Sequence, residues 1–265
     1  MSAEDRLLAA TPILNFGHPS IEQLVAERGW KALATHDRIG AVYDFVRNEI
    51  AFGYNRADDM PAADVLTDGF GQCNTKGTLL MALLRAVGVR CRLHGFTIHK
   101  ELQRGVVPEL VYPLAPNEIV HSWVEVETET GWANLEGFIL DAEFLSALQS
   151  TFTDSPSLCG YGAGTDCLQA PPVEWTGGDT YIQETGIAQD FGIFDAPDEF
   201  YATHQQAFSF VKGILYRHII RHWMNARVRR IRSGNVPQIP GLSLPNHRHK
   251  ESRHASRSRS RSRAY

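Results

Sequence analysis

The sequence has no run of 18 apolar residues, the length that a membrane-spanning helix needs. Its beginning, Met1-Ser2-Ala3-Glu4-Asp5-Arg6, is acidic and lacks the cationic segment followed by an apolar one that marks a signal peptide. Only four cysteines occur among 265 residues, which is too few for a disulfide scaffold. We therefore expect no transmembrane segment, a cytoplasmic location and free thiols at Cys73, Cys91, Cys159 and Cys167. A disulfide between Cys159 and Cys167 is the alternative for that pair.

No common metal-binding pattern is present. Cys91, His94 and His99 are close in sequence, but a strand would direct Cys91 and His94 to opposite faces, and the spacing matches no usual zinc site. The sequence also lacks the Asp-x-Asp-x-Asp-Gly loop that binds calcium. We expect neither a metal nor another cofactor.

Acidic residues are scarce at the C-terminal end of the chain. Residues 212–265 contain 14 lysines and arginines and one acid, while the rest contains 12 basic residues and 29 acids, so the net charge of −4 divides into +13 and −17. Residues 256–263 alternate Ser and Arg, as in the arginine-serine tracts of RNA-binding proteins, but no RNA-binding motif accompanies them. We expect a tail that meets an anionic partner or its own acidic body, rather than a nucleic-acid-binding protein.

The central feature of the chain is a cysteine at the predicted start of a helix. Residues 69–77 form a glycine-rich turn that contains Cys73, and the helix that follows ends at Gly88. Unpaired N–H groups and the helix dipole favour a thiolate there, and a thiolate is a nucleophile at neutral pH. The ordinary alternative is a small buried apolar residue. The apolar face of this helix consists of Leu79, Leu80, Leu83, Leu84 and Val87.

A predicted hairpin supplies partners for the cysteine. Two alternating segments flank a turn at residues 128–131. If Val126 pairs with Gly131, His121 faces Glu136 on the same side of the sheet, and a carboxylate there can hold the imidazole of a general base. Asp141 is the alternative carboxylate, although it also fits as the N-cap of a following helix. We favour Glu136.

Three motifs, in order, resemble the transglutaminase-like superfamily. They are Gly-Gln-Cys73 opening an apolar helix that ends Arg85-Ala86-Val87-Gly88-Val89, the stretch His121-Ser122-Trp123-Val124-Glu125-Val126, and Trp132 followed by an acid four residues later. The family has Asp where this chain has Glu136. The resemblance covers about residues 35–141 and implies an α+β, papain-like core in which the nucleophile-bearing helix packs on an antiparallel sheet.

The resemblance also implies acyl transfer through a thioester. Cys73 would attack the carbonyl of a peptide, a protein or a small amide or ester, His121 would protonate the leaving group, and water or an amine would take the acyl group. The Cys73 N–H and one further donor would hold the oxyanion. Tyr54 is our candidate donor, and Gln72 is a second one that could instead shape the turn. The alternative function is an idle core that serves as a binding module through its extension or tail.

We predict three parts of the chain: a catalytic domain at residues 1–150, a packed extension at 151–233 and a disordered basic tail at 234–265. Residues 150–197 show no long periodic segment. A long helix is expected from Pro197 onwards, with its apolar side buried on the core; the alternative for its basic part is to lie on an anionic membrane surface. That side consists of Phe200, His204, Phe208, Val211, Leu215, Ile219 and Trp223.

Overall fold

The structure is a computed structural model that describes residues 3–206 and 210–239. Phe208, the side chain of Val211 and most of the predicted tail, residues 240–265, lie outside the described residues. Within the described part, no helix combines the length and the apolarity needed to cross a membrane.

The N-terminal part of the chain packs helices around the helix that begins with Cys73. Every residue of that helix from Cys73 to Arg85 is buried. Gly29 and Gly69, in left-handed backbone conformations, end two of the surrounding helices. The helices are α1 (Ala3–Arg6), α2 (Pro19–Arg28), α3 (Thr35–Asn48), α4 (Ala62–Asp68) and α5 (Cys73–Ala86), with a short parallel pair, β1 (Ala51–Phe52) and β2 (Phe70–Gly71), beside them.

An antiparallel sheet of four strands lies against α5, as the predicted fold class requires. The strands are β3 (Cys91–His99), β4 (Glu118–Thr128), β5 (Gly131–Leu135) and β8 (Ile187–Phe194), in the order β5-β4-β3-β8. Helix and sheet meet closely at Gly77, where an added Cβ would lie 3.7 Å from a methyl group of Val124. The α+β core with its nucleophile-bearing helix on an antiparallel sheet is thus confirmed.

The register of the β4–β5 hairpin differs from the predicted one. Val126 pairs with Ala133 rather than Gly131, and Thr128 pairs with Gly131 across a two-residue turn. The Thr128 hydroxyl donates to the Gly131 carbonyl oxygen at 2.8 Å, which closes the turn more tightly than predicted. Because the error is two residues, each side chain keeps its face. Glu136, just beyond β5, therefore still lies on the His121 side.

Residues 150–197, whose sequence shows no long periodic segment, contribute a strand to the main sheet. Strand β8 pairs with β3 and forms one edge of the sheet, with irregular register around Gly95 and Phe96. The sequence hides this strand because it contains Asp190 and Gly192, two residue types that strands disfavour. Helix α6 (Ala142–Thr151) precedes this part of the chain, which also contains β6 (Leu158–Gly160) and β7 (Ala163–Thr165). The division of the chain at residues 150 and 233 stays a prediction.

The predicted long helix is divided. Helix α7 (Pro197–Thr203) ends at His204, and a second helical stretch follows the undescribed residues 207–209. This stretch, which we call the outer helix, consists of α8 (Phe210–Leu215), a π-helical turn (Tyr216–Ile220) and α9 (Arg221–Arg232).

The prediction that the apolar side of this long helix is buried on the core is also wrong for the residues after α7. Phe200 is fully buried, but Leu215, Ile219 and Trp223 are 37, 57 and 45% exposed. The π-helical turn holds more residues per turn than an α-helix, so it rotates the following residues away from the face that a 3.6-residue period predicts. The side chains of α9 that enter the core are Met224, Val228 and Ile231.

Candidate active site

Cys73 is the first residue of α5 and lies at the base of a cleft. Its side chain is 8% exposed. The Gln72 N–H donates to Thr75 Oγ1 at 3.1 Å and caps the helix start. An added Cβ at Gly71 would lie 2.6 Å from the same oxygen, so only glycine fits in front of this turn. The glycine-rich loop therefore fixes the thiol at the N-terminal end of a buried helix, as predicted.

His121 of β4 and Glu136 form the predicted pair. Both are fully buried, and His121 Nε2 lies 2.8 Å from Glu136 Oε1. The other carboxylate oxygen accepts N–H groups from Ile182 and Gln183 at 2.9 and 2.8 Å. These two donors were missed in the sequence because they lie more than 40 residues further along the chain, in a segment without a pattern. They fix the carboxylate in the orientation that the imidazole needs.

Cys73 and His121 are electrostatic neighbours. Burial alone lowers the pKa of His121, but the nearby Cys73 and Glu136 outweigh this effect and raise it to about 10. The second ring nitrogen, Nδ1, is buried and has no hydrogen-bond partner of good geometry in the described residues. Cys73 therefore acts on His121 first through its charge and second through a hydrogen-bond interaction whose geometry is incomplete.

Asp141, the alternative carboxylate, is occupied elsewhere. Its Oδ1 accepts the Phe144 N–H at 3.0 Å as N-cap of α6, and its Oδ2 accepts the Phe52 N–H at 2.8 Å. Arg232 forms an ion pair with it at 2.5 Å. Although burial opposes the effect, these partners hold the pKa of Asp141 below its ordinary value. The contacts assign a structural role to Asp141.

The two candidate oxyanion donors differ in their surroundings. Gln72 uses its side chain to hold the loop, accepting the Asn55 N–H and donating to Asp58 Oδ1, both at 3.0 Å. Tyr54 is 4% exposed and lines the cleft beside Cys73. Burial, with Tyr216 and Cys73 adding to it, raises the pKa of Tyr54 well above its ordinary value, so the phenol keeps its proton. An oxyanion role stays a prediction for both residues.

Asn74 is a contributor that the sequence did not reveal. Its side-chain amide donates to the Val120 carbonyl oxygen, and its carbonyl oxygen accepts from Ser122 Oγ, both at 3.0 Å. These bonds tie the residue after Cys73 to the two neighbours of His121 on β4. Asn74 therefore fixes the distance between the helix that carries Cys73 and the strand that carries His121.

The cleft measures about 420 Å³ and has a polar end and an apolar wall. At the polar end, the Tyr201 hydroxyl is buried without a partner in the described part, and burial raises the pKa of Asp58 even though Asn74 and Gln72 donate to it. The sequence offered no signal for either residue. The apolar wall consists of Val107, Val111, Leu114, Ile119, Leu215 and Met224.

The side chains considered for zinc do not converge. His94 contacts Glu125 through Nδ1 and Asp190 through Nε2, both at 2.8 Å, while Cys91 Sγ lies 3.6 Å from the Met81 carbonyl oxygen. In residues 3–206 and 210–239, no group of three or more His, Cys, Asp or Glu side chains could hold a metal ion. All four cysteines are free thiols.

Comparison with known proteins gives one family. No curated protein matches the sequence. A crystal structure of a "putative cysteine protease" from Cytophaga hutchinsonii superposes with a TM-score of 0.40 and 16% identity, over 53% of this chain and 44% of the other. The family model described as the transglutaminase-like superfamily matches residues 23–137, which supports a cysteine-dependent enzyme. Residues 23–137, which contain Cys73, His121 and Glu136, are thus similar to the transglutaminase-like superfamily.

Proposed function

We propose that the protein is a cysteine-dependent acyl-transfer enzyme. Cys73 attacks the carbonyl carbon of an amide or ester and holds the acyl group as a thioester. One observation carries the proposal: the buried imidazole of His121 is held by Glu136 at 2.8 Å on one side and has Cys73 as its neighbour on the other. This is the nucleophile, base and orienting group that a thiol needs for acyl chemistry.

The first half of the reaction forms the thioester. With its pKa raised to about 10, His121 is protonated at neutral pH, and Cys73 attacks as a thiolate in this mechanism. The bond between Cys73 Sγ and the carbonyl carbon forms, and the bond from that carbon to the leaving nitrogen or oxygen breaks. His121 gives its proton to the leaving atom, and Glu136 keeps the ring in position through Nε2.

The second half releases the acyl group. Water or an amine approaches the thioester carbonyl, and the neutral His121 accepts its proton. The bond to the new oxygen or nitrogen forms while the bond to Cys73 Sγ breaks, which restores the thiolate beside an imidazolium. The choice between hydrolysis and transfer depends on which acceptor the cleft admits.

Two donors would stabilise the oxyanion of each tetrahedral intermediate. The N–H of Cys73 lies in the first turn of α5, where N–H groups have no partner within the helix. Tyr54 offers a phenol that remains protonated at neutral pH and lies in the same cleft. The apolar wall of the cleft suits the side chains of a peptide or protein, or the acyl part of a small amide or ester.

Alkylation by iodoacetamide tests the reactive thiol without any substrate. At pH 6, Cys73 should react at least about tenfold faster than Cys167, which is exposed and serves as the internal control, because only a thiolate reacts well. His121→Ala should remove this advantage. Peptide mass spectrometry gives the rate for each cysteine. Equal rates at the two cysteines, unchanged by His121→Ala, would contradict the proposal.

A screen of acyl donors tests the reaction itself. Peptide amides and activated esters would be supplied with a fluorescent amine as acceptor, so that hydrolysis and transfer are both recorded. Wild type should turn over at least one donor class, and Cys73→Ala should not. If Cys73 were reactive but no donor class were consumed, the proposal of an enzyme would fail. The alternative, an idle core that serves as a binding module, would then be favoured.

A further inference from the structure

Large apolar side chains are exposed on the outer helix. Nine large apolar residues of the described part are exposed, and four of them lie within residues 214–223. Such a concentration on one helix is uncommon for a surface that meets only water, and it marks a binding surface. The exposed fractions are 48, 37, 57 and 45% for Ile214, Leu215, Ile219 and Trp223, which we call the apolar patch.

The charged residues of the outer helix itself have one sign. Residues 210–232 contain seven lysines and arginines and no acid. Of these, Lys212 and Arg217 lie near the apolar patch on exposed positions, and Arg229 and Arg230 are exposed further along. A partner that covers this helix must therefore provide both an apolar layer and negative charge.

Three other occupants fit less well. A second copy that pairs through the same helix would bring two basic surfaces together. The chain's own residues 240–265 contain seven basic residues with one acid, so this segment is repelled by the helix. Nucleic acid supplies phosphates but no apolar layer for Ile214 and Ile219. The interface of an anionic lipid bilayer supplies both, and tryptophan is enriched there.

The apolar patch continues to the mouth of the cleft. Leu215 belongs to the apolar patch and also lines the cleft. Leu114, which is 60% exposed, lines the cleft from the loop between β3 and β4. A surface that covers the apolar patch therefore also lies next to the opening above Cys73.

We propose that the outer helix lies on the surface of an anionic membrane. Ile214, Ile219 and Trp223 enter the headgroup layer, the basic side chains contact lipid phosphates and carboxylates, and the cleft opens beside the bilayer. The helix does not span the bilayer; it lies in the interface, as amphipathic helices with basic flanks do. The chemistry at Cys73 is not required for this binding.

Vesicle sedimentation tests the proposal with the full-length chain. One vesicle preparation contains phosphatidylcholine alone, and the other contains phosphatidylcholine mixed with phosphatidylserine. Wild type should bind the mixed vesicles about tenfold or more tightly than the neutral ones at low salt. Ile219→Ser combined with Trp223→Ser should lower the affinity for mixed vesicles about tenfold or more, since apolar burial is lost.

A matched double variant controls for the loss of exposed apolar side chains in general. Ile193 and Trp132 are 48 and 37% exposed and lie on the outer strands of the sheet, β8 and β5. Ile193→Ser combined with Trp132→Ser should bind mixed vesicles as wild type does. Cys73→Ala should also bind as wild type, which separates membrane binding from the proposed reaction. Circular dichroism and thermal melting verify that each variant is folded.

Several results would overturn the proposal. Equal binding of the wild type to both vesicle types would contradict the proposal, because charge would then be irrelevant. If the Ile219 and Trp223 double variant bound mixed vesicles as tightly as wild type, the proposal would fail. The contact with the vesicle would then be assigned to another basic segment. Absence of vesicle binding, together with a dimer that this double variant dissociates in light scattering, would assign the apolar patch to a second copy.

Discussion

The inner end of the cleft and the outer helix use their side chains in opposite ways. At the inner end, Cys73, His121 and Glu136 are buried, and the carboxylate of Glu136 has a partner for each oxygen. On the outer helix, Ile219 and Trp223 are about half exposed. The inner end is built to hold one geometry, while the outer helix leaves apolar area uncovered.

This difference teaches that burial and function need not coincide. The inner polar groups cost free energy to bury, and their hydrogen bonds hold them in the orientation that the proposed reaction needs. Exposing the outer apolar groups to water is unfavourable, and a partner that covered them would remove this cost. The five predictions that follow treat the two regions as separable, and each can show where they are not.

The largest effect is expected at the nucleophile. Cys73→Ala should lower acyl transfer by more than about a thousandfold, because no other group can form the thioester. Turnover of the best donor found in the screen is the measurement. Cys167→Ala, at an exposed cysteine, should retain full turnover. Residual turnover of Cys73→Ala close to wild type would mean that the inner end is not the reacting centre.

The second effect concerns the orientation of the imidazole. Glu136→Gln should lower turnover by about 10²- to 10⁴-fold, because a neutral amide cannot stabilise the imidazolium and presents an NH₂ group to the N–H donors of Ile182 and Gln183. Kinetics on the folded variant provide the measurement. Asp141→Asn makes the same chemical change at the structural carboxylate and should leave turnover per folded molecule within a few-fold of wild type.

The third effect is a dependence of stability on pH. The pKa of His121 is raised from an ordinary 6.5 to about 10 in the folded protein, so its protonation stabilises the fold fully below about pH 6.5, and this contribution is lost as the pH rises through about 10. The difference in unfolding free energy between wild type and His121→Gln should therefore shrink from a few kcal/mol at pH 6 to near zero above about pH 10.

Lys76 also contributes to the pH dependence of stability, so the contribution of His121 must be measured as a difference between wild type and His121→Gln. Burial lowers the pKa of Lys76 to about 7, so this group alone makes the protein more stable as the pH rises from about 7 to its ordinary value of 10.5. The two trends oppose each other in the wild type, and Lys76 cancels in the difference between wild type and His121→Gln. A difference that grows with pH would contradict the assignment of the raised pKa to His121.

The fourth effect is on stability alone. Asp141→Asn should lower the free energy of unfolding by about 2–4 kcal/mol, because it removes the charge partner of Arg232, while an asparagine oxygen can still cap α6. Urea unfolding gives the value. Asp154→Asn, which changes an exposed carboxylate, is the control and should alter stability by less than about 0.5 kcal/mol. If Asp141→Asn lowered the free energy of unfolding by as little as the control does, the structural role assigned to Asp141 would be wrong.

The smallest effect separates the two faces of the outer helix. Val228→Ala, on the buried face, should lower the free energy of unfolding by about 1–2 kcal/mol. Ile219→Ser, on the exposed face, should change it by less than about 0.5 kcal/mol in the absence of membranes. Denaturant titration measures both. A large loss for Ile219→Ser would show that its face is covered within the protein.

Strong local patterns made much of the inner end predictable. The apolar period of residues 79–87 and Gly88 define α5, and the alternation in β4 places His121. Even with the wrong hairpin register, Glu136 was assigned correctly to the face of His121, because an error of two residues preserves the face. These features depend on short segments whose residues are neighbours in the chain.

Contacts between distant segments were not predictable. The N–H groups that hold Glu136 come from Ile182 and Gln183, and nothing in their local sequence indicates that role. Strand β8 exists because its neighbour β3 offers an edge, in spite of its own weak propensity. The outer helix deviates from a regular period at its π-helical turn, so the exposed face could not be derived from a 3.6-residue pattern.

The side chains of α9 take the place of a neighbouring strand for the loop that contains Tyr54. The amide of Asn225 accepts the Tyr54 N–H at 2.7 Å and donates to its carbonyl oxygen at 2.9 Å, as a peptide group would. Arg232 donates to the Phe52 carbonyl oxygen at 3.1 Å. During synthesis, Cys73 and His121 emerge long before these partners. The candidate site is therefore complete only after the chain has been made to residue 232.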